Sequence, residues 1–187
     1  MMKIRCHWMG LLSTLAILIL IAPGTAQAGW HWTHGHSGQV EYPGLLITTP
    51  YVRPEGLLIT GSMETSQWVH FAVPTLGDSG ITVRYIKVRY TQNNPAGSTL
   101  AAVHVYNGET KVKEITGGWP TGSGIQEFLL DLGTAQSFDH GLGVSVEVYF
   151  GIDGGVDSFT FHGVGANFEG TGSSEAAFYV IPVKKKN

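Results

Sequence analysis

From residue 44 onward no stretch sustains a 3.6-residue apolar period; short runs of Val, Ile, Thr, Tyr and Phe recur between clusters of Gly, Pro, Asn and Asp. That pattern predicts an antiparallel all-β domain. Strands are expected near 44–49, 57–61, 67–74, 80–92, 98–107, 109–116, 125–132, 142–151, 156–168 and 175–183. Asn107-Gly108 between two β-prone runs suits a two-residue hairpin turn, so the strands on either side of it should pair. In Leu142 to Phe150 the even positions are apolar while Ser145, Glu147 and Tyr149 are free to face water, the alternation of a strand packed on one face. About ten strands at this spacing favour a two-sheet antiparallel β-sandwich of jelly-roll type, with a closed barrel as the alternative. The pentapeptide Gly-Leu-Leu-Ile-Thr occurs twice, at 44–48 and 56–60. Both copies read as edge-region strands around a proline-bearing loop.

Residues 1–28 break this pattern. Lys3 and Arg5 precede an apolar run from Leu11 to Ala22, followed by Pro23-Gly24 and Ala26-Gln27-Ala28, the layout of a secretory signal peptide. The run is shorter than the roughly 20 residues of a spanning helix, so no stable membrane anchor is expected. Cys6 precedes the run and cannot tether the mature protein. The expected product is exported, periplasmic or extracellular. It divides into a His/Trp-rich segment at 29–43, a sandwich at 44–183 and a basic tail at 184–187.

Cleavage after Ala28 removes the single cysteine, which excludes disulfides, thiolate metal sites and a cysteine nucleophile. It also removes two of the eleven basic residues, leaving nine against fourteen acidic ones, a net of −5. Nucleic acid and anionic membranes are poor partners for such a surface. Lys184-Lys185-Lys186 reads as a solvated tail.

Three segments, Trp68 to Thr75, Val103 to Gly108 and Gly141 to Val146, together resemble a bacterial family of domains of unknown function, over about residues 65–168. The resemblance implies a compact β-sandwich and brings no activity, substrate or catalytic residues. It leaves out the segment richest in chemistry, Gly29-Trp30-His31-Trp32-Thr33-His34-Gly35-His36, which also lies outside the strand pattern.

In that octet, a chain beginning at Gly29 offers its amine, the amide nitrogens of Trp30 and His31, and the His31 imidazole as four in-plane nitrogens, a donor set for Cu(II) or Ni(II). A chain beginning at Gln27 does not. His34 and His36 add two imidazoles, and the flexibility of Gly35 allows all three rings to reach one ion, which would suit Zn(II) or Cu(II). The bland reading is a histidine tract that binds stray metal weakly. Trp30 and Trp32 are candidates for stacking on a sugar ring or a partner, and equally for plugging an apolar groove of the sandwich.

Elsewhere the signals are weaker. His70 and His104 sit in strands and would share a site if those strands were neighbours, though a hydrogen-bonded structural histidine is the default for each. Gly77-Asp78-Ser79-Gly80 copies a serine-protease loop without its partners and reads as a turn. Asp153-Gly154-Gly155-Val156-Asp157 lacks the ligand count of a calcium loop. Asp131, Asp139 and Glu147 are possible members of a glycosidase carboxylate pair. The leading expectation is a non-catalytic exported binding protein for a small-molecule, glycan or protein ligand. The alternatives are a polymer-acting hydrolase or metal-dependent oxidase, and a structural or assembly subunit.

Overall fold

In the computed structural model, which describes residues 29–75, 81–94, 96–151 and 156–170, eight of the expected strands are present to within a few residues. In chain order the elements are β1 (Gly29–His34), β2 (Gln39–Val40), β3 (Tyr51–Arg53), β4 (Gly56–Gly61), β5 (Thr65–Val73) and β6 (Ile81–Gln92). They continue with β7 (Ser98–Asn107), β8 (Thr110–Ile115), β9 (Ile125–Gln136), β10 (Leu142–Phe150) and β11 (Asp157–Gly170). The expected signal peptide, the strand at 175–183, the lysine tail, the Gly77–Gly80 loop and Asp153 lie outside the described residues.

The strands form two antiparallel sheets, not one barrel. The first runs β3-β4-β11-β6-β9, with β1 on the same edge of β11 as β4; the second runs β2-β5-β10-β7-β8. From β4 onward the chain changes sheet at every connection except the β7–β8 hairpin, the habit of a jelly roll. Alternating residues of both sheets meet in one core, where Phe71, Phe150, Phe159 and Phe161 are at most 2% exposed. Phe71 and Phe161 bridge the sheets with ring centroids 5.7 Å apart. Burying each such side chain contributes about 1.5–3 kcal/mol. Tyr90 is also buried; its hydroxyl donates to the Pro120 carbonyl at 2.7 Å, and burial pushes its pKa up to about 12.

Three expectations are corrected. The first copy of Gly-Leu-Leu-Ile-Thr is not a strand: Pro43–Leu45 is a 3-10 turn, and only an isolated bridge from Leu46 to Gly61 touches a sheet. The second copy lies within β4. The octet, placed outside the strand pattern by its sequence, is mostly β1, paired with β11 from Gly29↔Phe168 to His34↔Gly163. In the β7–β8 hairpin, Asn107 still pairs with Thr110 and the positive φ falls on Gly108 alone (56°). The two-residue loop is therefore Gly108-Glu109, one residue later than the dipeptide suggested.

Candidate binding site

Strand alternation decides what the octet can do. Thr33 is buried, and its hydroxyl donates to the Ala72 carbonyl of the opposite sheet at 2.7 Å. Thr33 and His31 therefore point inward, and the His31 ring meets Phe168 edge-on at 5.0 Å. Trp30, Trp32 and His34 point outward, onto the open face of the first sheet.

On that face β11 offers glycine at alternate positions. A Cβ on Gly165 would stand 2.6 Å from the Trp32 ring, so the indole lies directly against a bare stretch of backbone. Glycine inside a strand often marks such a close approach. Trp32 nevertheless remains 41% exposed. Trp30 stacks beside it at 5.9 Å, with Lys87 Nζ 4.7 Å from the Trp30 ring and Arg89 Cζ 5.9 Å from the Trp32 ring.

Beside Trp32 opens a cleft of about 480 Å³, lined by His34, Glu55, Arg89, Ile125 and His162 among others. His162 sits at an irregularity between Phe161 and Gly163 of β11. Its Nδ1 lies 2.8 Å from the Glu55 carbonyl and its Nε2 2.8 Å from Thr91 Oγ1. A carbonyl only accepts, so Nδ1 carries the proton and Nε2 accepts from the threonine hydroxyl. The ring is thus held as a fixed wall. Arg89 differs: its Nε is buried without a hydrogen-bond partner, and the nearest carboxylate oxygen, on Glu127, stands 3.6 Å away. Arg89, Glu55 and His162 were not singled out from sequence. Beyond the tryptophans, the glycines at alternate positions 163 and 165 are a local sign that a side chain can lie close to the β11 backbone here.

The histidine trio is divided. His34 and His36 approach with ring centroids 4.1 Å apart, His34 Nδ1 accepting from the His36 amide at 3.3 Å. His31 is on the other face of the strand. Among the described residues no group of three or more His, Cys, Asp or Glu is disposed to hold a metal ion. The amides of Trp30 and His31 lie in a paired strand, where successive N–H groups point to opposite edges. Strand pairing and a square-planar chelate are alternatives for the same residues.

The second sheet carries a polar row on its outer face, in the order His70, Ser145, His104 and Glu114 across β5, β10, β7 and β8. The two histidine strands are thus separated by β10, not adjacent. Ser145 Oγ lies 2.7 Å from His70 Nδ1, and His70 Nε2 lies 3.4 Å from Glu41. This has the order of a Ser-His-acid array, but Ser145 is only 6% exposed. The N–H groups around it belong to a strand paired on both sides, so they offer no oxyanion donors. His104 packs on Trp68 at 4.6 Å and lies 3.4 Å from Glu114. Burial, helped by the Lys111 charge, lowers its pKa against the opposing pull of Glu114.

The candidate acids are dispersed. Asp131 is in a two-point pair with Arg84, both contacts 3.1 Å, on the first sheet, whereas Glu147 belongs to the second. Asp139 lies in the turn between β9 and β10. Asp157 is buried and accepts from Asn94 Nδ2 at 2.8 Å and the Gly151 amide at 3.2 Å.

Fold and site together define an antiparallel β-sandwich with an aromatic, glycine-backed cleft on the outer face of one sheet. Residues 27–173 match the family of unknown function DUF6623, and the chain belongs to that family. The match extends well beyond the 65–168 expected from sequence and includes the whole octet. No curated protein matches the chain. Among solved structures it is similar to a family two carbohydrate esterase from Cellvibrio japonicus, with 9% identity over 78% of this chain and a TM-score of 0.40. The chain spans 36% of that esterase's length. It is also similar to the CBM36-1 domain of a multidomain xylanase from the hindgut metagenome of Trinervitermes trinervoides (12% identity, 78% of this chain, 99% of that one, TM-score 0.38). A third likeness is to a family 29 carbohydrate-binding module from Piromyces equi (11%, 79%, 95% and 0.37). Likenesses this loose say nothing about ligand.

Proposed function

We propose that this protein is an exported, non-catalytic binding module whose ligand is a glycan, held in the cleft beside Trp32. The observation that carries the reading is the indole itself, seated against Gly165 yet 41% exposed, at the wall of a cleft with polar side chains. An apolar ring face bordered by fixed hydrogen-bonding groups is what a sugar ring, apolar on its C–H face and polar at its rim, requires. The leader-like residues 1–28 support a periplasmic or extracellular setting.

Affinity electrophoresis through gels containing individual polysaccharides tests this. The native protein is expected to be retarded by at least one of them, and Trp32→Ala to run as in a blank gel. Equal retardation of the two proteins in every gel removes the cleft as the site.

A chelate at the mature terminus is a separate proposal, supported by the order Gly29-Trp30-His31. Because it competes with β1 pairing, Cu(II) or Ni(II) would bind there only as the first residues of the strand peel from β11. Copper titrated into protein beginning at Gly29 is expected to bind at one equivalent and to raise hydrogen exchange of the β1 amides. Unchanged affinity in His31→Ala, or in protein beginning at Gln27, defeats the proposal.

A further inference from the structure

We infer that the glycan is acidic, a sugar bearing a carboxylate, and that Arg89 is its anchor; this rests on the glycan reading of the Trp32 cleft. Among the described residues the Arg89 Nε is shielded from water and has no hydrogen-bond partner, its ionic contact with Glu127 being longer than a hydrogen bond. Its side chain is 43% exposed and borders the cleft. Glu127 does not complete it. That carboxylate is drawn to Lys87 Nζ at 2.6 Å and stands 3.6 Å from Arg89 Nε, beyond hydrogen-bond reach.

The unmet capacity has a definite shape. A guanidinium presents parallel N–H groups in a planar fork that matches the two oxygens of a carboxylate, and the match is stronger than any hydroxyl can make. A neutral sugar can offer the fork two vicinal hydroxyl oxygens, but without the charge that makes the carboxylate pair the stronger one. The fork also sits close to the indole: Cζ lies over the Trp32 ring, 5.9 Å from its centroid, so a carboxylate on a sugar held beside Trp32 is within reach of Arg89.

The formal charges lining the cleft balance, whereas the whole chain is acidic, with a formal net charge of −3. The cleft lining carries one arginine, Arg89, and one glutamate, Glu55, whose carboxylate is 3.6 Å from Arg53. With Glu55 turned to Arg53, Arg89 is the cation that a carboxylate entering the cleft would meet, a single point of charge complementarity and not a general attraction to polyanions.

The test uses polygalacturonate and alginate, each beside its carboxyl-reduced counterpart, which keeps the chain and removes the charge. Neutral galactan and xylan complete the panel. Native protein, Arg89→Gln, Arg89→Lys and Trp32→Ala are compared by affinity electrophoresis and calorimetry, with thermal melts to confirm folding. Native protein is expected to bind at least one polyuronate about tenfold or more tighter than its reduced form. Arg89→Gln should erase that difference, Arg89→Lys should recover part of it, and Trp32→Ala should bind neither form. If native protein binds reduced or neutral polymers as well as acidic ones, or if Arg89→Gln keeps the preference, the inference is wrong while the glycan reading stands. If no polysaccharide binds, both fall.

Discussion

Phe161→Ala is expected to lower the free energy of unfolding by about 3–5 kcal/mol, the range for deleting a buried phenyl ring. Phe161 is 0% exposed and belongs to β11, which holds β1, β4 and β6 together. Its ring meets Phe71 of the other sheet at 5.7 Å and Phe159 of its own strand at 6.2 Å. Surrounding rings anchored on paired strands have little freedom to collapse into the space left behind, so the cavity term should be near its upper end. For a domain whose whole stability is of the order of 5–15 kcal/mol, this is a large share. Urea denaturation followed by tryptophan fluorescence measures it. A loss below about 1 kcal/mol with an unchanged m-value would mean that Phe161 does not tie the sheets together.

If the cleft beside Trp32 is the glycan site proposed above, Gly165→Ala is expected to weaken that binding while leaving the sandwich folded. The new methyl group would stand 2.6–2.9 Å from three atoms of the Trp32 ring, distances that force the indole off the sheet. The core lies on the other face of β11 and is not touched, because Val164 and Ala166 face inward and Gly165 outward. Binding in the gel assay should fall about tenfold or more, with a melting temperature close to native. Gly163→Ala is the contrasting variant: its Cβ would lie 2.8 Å from the Thr33 carbonyl, so it strikes the backbone of β1 instead of a side chain. That variant should lose stability as well as binding. Full binding by Gly165→Ala would show that the ligand does not use the indole in this position.

How far the sequence carries is clearest in three places. Alternation in Leu142 to Phe150 is realised on the apolar face of β10, where Leu142, Val144, Val146, Val148 and Phe150 are at most 2% exposed; on the other face Tyr149 is exposed, but Ser145, expected to face water, is only 6% exposed between His70 and His104 of the flanking strands. A period of two in a central strand is a local property, dictated by which residues must leave water, and it needs no knowledge of partners. The hairpin at Asn107-Gly108 was legible for the same reason, since only glycine takes positive φ without strain. The turn residues slipped by one because Asn107 had a pairing partner in Thr110, which is a fact about the other strand.

The candidate site was half legible. Trp30 and Trp32 were conspicuous, and the structure brings them onto one open face. Arg89, Glu55 and His162 were not, because they come from β6, the β3–β4 turn and β11, and nothing local in any of them marks the others. Of the three histidines read as one cluster, His31 was turned inward by the pairing of β1, a consequence of strand register that short-range spacing does not contain.

The repeated pentapeptide marks the limit most clearly. Leu45 and Ile47 are 50% and 54% exposed, while Leu57 and Ile59, the same residues of the second copy, are 2% and 0% exposed. Identical propensities and identical hydrophobicity produced a surface turn in one place and a buried strand in the other. Composition and alternation by themselves determined that the chain makes antiparallel strands with one apolar face, because removal of apolar side chains from water acts residue by residue. Which segments became central strands, and that a histidine- and tryptophan-rich segment became a strand paired with β11 alone, was decided only in three dimensions. Backbone hydrogen bonds between strands and the close seat of an indole on glycine need a partner distant in sequence, and β11 supplies it.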